Sequence, residues 1–193
     1  MSTAFTIYCL LVAYVTAQRL FELKIAARNT HRLLSLGAKE FKSPHYKAMK
    51  ALHSTWLVAC LIEAWWRGVP PHAAVSLIAL AFFGAGQFLR FAAMRDLGPR
   101  WTTRIIVLPE VPPVAGGIYR RIKHPNYLGV ILEIAALPLV FGCWFTAAAY
   151  SLANLILLLG VRIPAEESAL KTNNADEAIT EWSRRGRFVP GRS

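Results

Sequence analysis

Apolar residues in this chain gather into long blocks separated by short basic segments, and the block lengths set the first expectation. A hydrocarbon layer about 30 Å thick takes roughly 20 mostly apolar residues in a helix. The blocks Thr3 to Leu23, Lys50 to Trp66, Ala73 to Ala93, Asn126 to Gly142 and Trp144 to Val161 are the candidates. The last two run together, because Ile134 to Val161 contains no charged residue. As one helix, residues 126 to 161 would stretch about 54 Å at 1.5 Å per residue, so a helical hairpin is the better reading. The expected fold class is an all-α integral membrane protein of about five transmembrane helices. It forms one domain over 1–193, with three spans in 1–94 and, in 95–193, a cytoplasmic loop, a helical hairpin and a tail whose stretch Glu166 to Trp182 is expected to form a C-terminal amphipathic helix.

Charge gives this pattern a direction. Loops rich in Lys and Arg favour the cytoplasmic side. Lys24 to Lys50 and Arg95 to Lys123 are such segments, and the tail adds Arg162, Lys171, Arg184, Arg185, Arg187 and Arg192. The connections near Arg67 to His72 and near Cys143 are poor in positive charge. Five spans put every basic segment on one side, with the N-terminus outside and the C-terminus in the cytoplasm. No basic residue precedes the first apolar run, so it reads as a retained span and not as a signal peptide. The net charge of +11 suits an anionic membrane surface better than nucleic acid, because the basic residues are broken up by long apolar stretches. The three cysteines sit in apolar runs without metal or disulfide spacing.

Two stretches carry chemistry. In GIYRRIKHPNYLG, residues 117 to 129, a basic, aromatic loop runs directly into an apolar helix. Pro125 suits the first helical turn and His124 the cap, which leaves the amides of Asn126, Tyr127 and Leu128 facing the membrane boundary, a setting that favours an anion. In RIPAEESAL, residues 162 to 170, Arg162 and Glu166 share a face if the turn stays helical past Pro164. Arg before Glu is the weaker order for a purely structural i, i+4 pair.

In order and spacing, Gly117, Tyr119, Lys123, His124, Pro125, Tyr127, Arg162, Glu166 and Glu167 resemble the signature of the isoprenylcysteine carboxyl methyltransferase superfamily of membrane enzymes. The closing RRGRFVPG is similar to that superfamily's terminal segment, and the resemblance covers about residues 95 to 193. RLFELKIAARN, LGAKEF, HYKAM and ALHSTW in the front half resemble bacterial members that O-methylate alkylpyrones made by type III polyketide synthases. The resemblance implies S-adenosylmethionine as cofactor, with S-adenosylhomocysteine as product. It implies a lipophilic or prenylated acceptor drawn from the membrane, and a lipid-producing polyketide synthase as partner. It places His124, Pro125, Asn126, Tyr127 and Glu166 at the cofactor, with Gly117, Tyr119 and the loop from Val111 to Val114 closing over it. Arg162 would face the acceptor oxygen.

Such a methyl transfer mainly requires two aligned reactants in a dry site. A carboxylate or an acidic enol reaches the site as an anion, and a guanidinium such as Arg162 can orient it through paired hydrogen bonds. Glu22, His53, Glu63 and Glu133 are expensive in lipid and should face the bundle interior or its interface. Glu133, two turns beyond Asn126, is expected either to line the acceptor pocket or to bond between helices. Trp56, Trp65, Trp66 and Trp144 are expected in aromatic belts at the membrane boundary. His31, His45 and His72 read as ordinary loop or interface residues. An NADPH-dependent sterol-type reductase and a non-catalytic membrane scaffold are the competing readings.

Overall fold

The computed structural model describes residues 2–41, 45–173 and 177–190, with the side chains of 177 and 178 left aside. Arg192 and the end of the closing motif therefore lie outside the described residues. The described chain is helical throughout its apolar blocks: α1 (Thr3–Ser35), α2 (Tyr46–Arg67), α3 (Ala73–Leu97), α4 (Pro125–Val140) and α5 (Trp144–Leu157), then α6 (Ile163–Asn173) and α7 (Glu177–Arg184). The stretches Thr3–Ser35, Ala73–Arg100 and Trp144–Asn173 are long and apolar enough to cross a membrane, and Pro125–Val140 is a shorter apolar helix. The expected helix count holds, but two of the five expected spans fall outside that set. At 16 residues, α4 is only about 24 Å long. α2 carries Lys47, Lys50, His53 and Glu63 along its length.

Helix α1 continues a dozen residues past the expected boundary, because Ala26, Asn29 and Leu33 recur on one buried face while Lys24, Arg28 and Arg32 point outward. The segment between α3 and α4 holds a feature that hydropathy did not reveal. Its residues Ile105–Val107 form β2, paired antiparallel with β1 (Lys39–Phe41).

The bundle core is built on the α3–α4 crossing, where two glycines face each other. A Cβ on Gly86 would lie 2.9 Å from the Gly129 carbonyl oxygen, and one on Gly129 would lie 2.7 Å from that of Gly86. Beside this crossing, Glu22, Arg90 and Glu133 are buried together with the Arg19 head group. Arg19 bonds Glu22 at 2.6 Å and also bonds Glu133, while Arg90 bonds Glu22 and lies 3.4 Å from Glu133. Two cations balance two anions, which is how charge survives inside an apolar bundle. Glu133 is thus an interhelical ion-pair residue and is not among the residues that line the cleft described below. Buried Glu63 accepts the amides of Phe145 and Thr146 at 3.2 and 2.7 Å, capping the start of α5.

Trp65, Trp66 and Trp144 are exposed on the apolar surface, consistent with a membrane belt, but Trp56 is 1% exposed. It packs with Tyr8, Cys60 and Leu137 in the main core, and that overturns its expected boundary position.

Candidate active site

The site forms where the start of α4 meets the junction of α5 and α6. Between those two helices, Leu158–Arg162 winds as a single π turn, and Ile163 continues directly into α6. The wider turn makes room for Pro164, whose ring would otherwise press on the carbonyl of the preceding turn. Arg162 and Glu166 consequently share a face, with Nε and Oε2 3.9 Å apart.

Arg162 is 4% exposed. Its Nε donates to the Tyr127 hydroxyl at 2.8 Å and its Nη2 to the Thr103 carbonyl at 3.1 Å. The Tyr127 hydroxyl in turn donates to Glu166. Nη1 of Arg162 is buried and has no hydrogen-bond partner among the described residues. Asn126 Oδ1 is in the same condition.

His124 sits at the cap of α4 as expected, although its side chain makes no cap bond. Its Nε2 lies 3.1 Å from Glu167 Oε1, and Nδ1 is 3.9 Å from Glu166. The His124 carbonyl accepts from the Leu128 amide at 3.1 Å, so Leu128 is not among the free first-turn donors and only Asn126 and Tyr127 remain of the three expected.

Glu167 has a role that spacing alone did not disclose. It takes two bonds from Arg187, at 3.0 and 2.7 Å, and lies 3.6 Å from Lys123. The Lys123 and His124 amides donate to the Gly186 and Arg187 carbonyls at 2.9 and 3.1 Å. The closing segment is therefore strapped onto the loop before α4, and its pairing with Glu167 raises the pKa of Arg187. Trp182 is brought in with it, edge-on to His124 and beneath the Lys123 ammonium.

One cleft gathers these groups. Val111, Val114, Tyr119, His124, Asn126, Tyr127, Arg162 and Glu166 all line it, together with Arg100, Trp101, Leu170 and Trp182. Burial first, and then the nearby Glu166 charge, push the Tyr119 hydroxyl above its ordinary pKa. Three expected site residues lie elsewhere. Pro125 is buried behind the helix start. Gly117, at φ +56°, backs onto Asp96, whose carboxylate accepts the Ile118 amide at 2.7 Å; a Cβ there would sit 1.9 Å from Asp96 Oδ2. Its contribution is to the path of the loop, as it leaves room only for glycine. Glu133 belongs to the ion cluster of the core.

Sequence reasoning missed Thr103 and gave Trp182 and Glu167 no role. Thr103 contributes a backbone carbonyl, which no residue pattern announces.

Comparison with known proteins identifies relatives and a family. The Bacillus subtilis (strain 168) uncharacterized protein YpbQ is 35% identical over 173 residues, covering 85% of this chain and 96% of its own. An uncharacterized protein of Haemophilus influenzae is 30% identical over 159 residues, 82% of this chain and 91% of its own. The sequence model of the isoprenylcysteine carboxyl methyltransferase family matches residues 77–172. The chain belongs to that family. It is an integral membrane protein of a methyltransferase family, and the matched segment runs from α3 through α6. The N-terminal half up to residue 76 and the closing strap lie outside that segment; the N-terminal half contacts the cleft-lining segment through bonds of Asn29, Tyr46 and Glu40 to Trp101, Thr103 and Arg104.

Proposed function

We propose that the protein is an S-adenosylmethionine-dependent O-methyltransferase acting on an acidic oxygen of a lipophilic substrate, and that the acceptor is a long-chain alkylpyrone enol in preference to an isoprenylcysteine-type carboxylate. One observation carries the reading: Arg162, Tyr127 and Glu166, tied together through one hydroxyl, line a single cleft with the start of α4, and Nη1 of the buried arginine is left without a partner among the described residues. An unsatisfied cationic donor in a dry site is costly unless a ligand completes it, and an oxyanion does so.

The residues fit the donor. Glu166 and the orphaned Asn126 oxygen supply acceptors for its ammonium and ribose groups, and the first-turn amides of α4 supply donors for its carboxylate. Tyr119, Val111, Val114 and Trp182 exclude water. When bound, this cofactor supplies a methyl group on a sulfonium, which an oxygen anion accepts without acid or base assistance. Arg162 orients that oxygen through Nη1 while its other two anchors hold the guanidinium plane still. The Tyr127 hydroxyl couples the two halves, since it bonds both Arg162 and Glu166.

By the distribution of Lys and Arg, the cleft end of the bundle faces the cytoplasm and the N-terminus lies outside. A polar cofactor then arrives from water and the acceptor from the membrane. The pyrone preference rests on the front-half motifs. The test is incubation of detergent-solubilised protein with methyl-labelled S-adenosylmethionine and membrane lipids, adding a long-chain 4-hydroxy-2-pyrone or a prenylcysteine. Label on the pyrone oxygen supports the reading. Label only on a carboxyl or an amine replaces the acceptor, and NADPH binding in place of S-adenosylmethionine binding overturns the class.

A further inference from the structure

We infer that Tyr46, on the N-terminal half outside the family-matched segment, is a positioning residue for Arg162 and acts through Thr103. This inference rests on the role of Arg162 proposed above. A guanidinium aims its free nitrogen only when its other nitrogens are anchored. For Arg162 those anchors are the Tyr127 hydroxyl and the Thr103 carbonyl, the latter accepting from Nη2 at 3.1 Å. Tyr127 is set by helix α4, but Thr103 lies in irregular chain between Arg100 and β2 and has no helical or strand ladder to hold it.

The N-terminal half provides what that ladder would. The hydroxyls of Tyr46 and Thr103 are 3.0 Å apart and share a hydrogen bond. On one side of Thr103, Asn29 Nδ2 donates to the Trp101 carbonyl at 2.9 Å and to that of Gly98 at 3.3 Å. On the other, Arg104 bonds both Glu40 oxygens at 3.0 and 3.1 Å, and its guanidinium lies 5.9 Å from the Tyr46 ring centroid. β1 pairs with β2 immediately beyond. Of these contacts, only that of Tyr46 reaches Thr103 itself. Asn29, Glu40 and β1 fix the chain around it, and Tyr46 sets the one residue that holds Arg162. The start of α2 is thereby wired to the acceptor side of the cleft, whereas the donor side is built from residues between 111 and 182.

The experiment compares Tyr46→Phe, Thr103→Val, the double variant and Thr103→Ser. It measures turnover of a long-chain 4-hydroxy-2-pyrone at saturating S-adenosylmethionine, affinity for S-adenosylhomocysteine by calorimetry, and the rate of phenylglyoxal modification of the Arg162 peptide. Losing this one hydrogen bond should lower kcat about tenfold in either single variant, with product affinity unchanged. The double variant should be no worse than either single one, because both remove the same bond. Thr103→Ser keeps the hydroxyl and should keep the rate. Arg162 should react faster with phenylglyoxal in both single variants and at the wild-type rate in Thr103→Ser. Full activity of Tyr46→Phe, additive losses in the double variant, or a parallel fall in product affinity overturns the inference. If the wild type fails to methylate the pyrone, the acceptor proposed above falls, while the phenylglyoxal rates still decide whether Tyr46 holds Arg162.

Discussion

Arg162 Nε donates to the Tyr127 hydroxyl at 2.8 Å, and that same hydroxyl donates to Glu166. One phenol on α4 thus ties together Arg162 and Glu166, which lie 35 and 39 residues further along the chain; in the function proposed above they orient the acceptor and hold the donor. Removing the ends of this chain should have different consequences.

Arg162→Ala removes the free Nη1 donor. Turnover should fall by about 100-fold or more, in the range seen when one preorganised donor to a reacting oxygen is lost, with S-adenosylmethionine affinity nearly intact. Glu166→Ala should instead weaken S-adenosylmethionine. Steady-state kinetics alongside calorimetry separates the two, and equal loss of cofactor affinity in both variants would refute the division of roles.

Glu133 is predicted to matter for the bundle and not for the acceptor. Glu133→Ala leaves Arg19 and Arg90 sharing Glu22 alone, and breaking a buried ion cluster this way costs about 3–5 kcal/mol. The measurement is thermal unfolding in detergent together with the acceptor KM of whatever fraction stays folded. A large fall in Tm with KM unchanged is expected; a normal Tm with a raised KM would return Glu133 to the acceptor pocket.

Gly86→Ala and Gly129→Ala each force a Cβ to within 3 Å of the facing carbonyl oxygen. Overpacking of this kind typically costs about 1–3 kcal/mol. Because α4 begins at the site, these variants should also lose cofactor affinity as α4 is pushed off α3. Wild-type stability in both would mean that the two helices do not cross so closely.

The closing strap gives a prediction of local order. Glu167→Gln keeps the volume but removes the charge that gathers Lys123, His124 and Arg187. Hydrogen exchange at Gly186, Arg187 and Phe188 should accelerate well before the helices open. Unchanged exchange there would show that the backbone pairing alone suffices.

Much of this was legible in the sequence for identifiable reasons. Helices announce themselves through apolar length, and α1 to α5 start or stop near Pro, Gly or a charge. His124, Tyr127, Arg162 and Glu166 were legible together because the two motifs sit at the ends of a hairpin too long to be one helix, and a hairpin returns its ends to one side. Other features left no such trace. The β1–β2 pair spans three residues on each strand, too short for any alternation to register. Trp56 looked like a belt residue because hydropathy cannot tell a lipid-facing position from a core one. Glu133 was left between two roles, and only its neighbours Arg19 and Arg90, distant in sequence, decide it. Thr103 meets Arg162 through its backbone carbonyl, a contact that no side-chain pattern announces.

The most direct test of the central claim is photocrosslinking of methyl-labelled S-adenosylmethionine to the purified protein, with the labelled peptides mapped by mass spectrometry. Saturable labelling confined to the segments 111–127 and 162–182, abolished by excess S-adenosylhomocysteine, is the expected result. Label that does not saturate, or that maps to the ion cluster around Glu22 and Arg90, would contradict it.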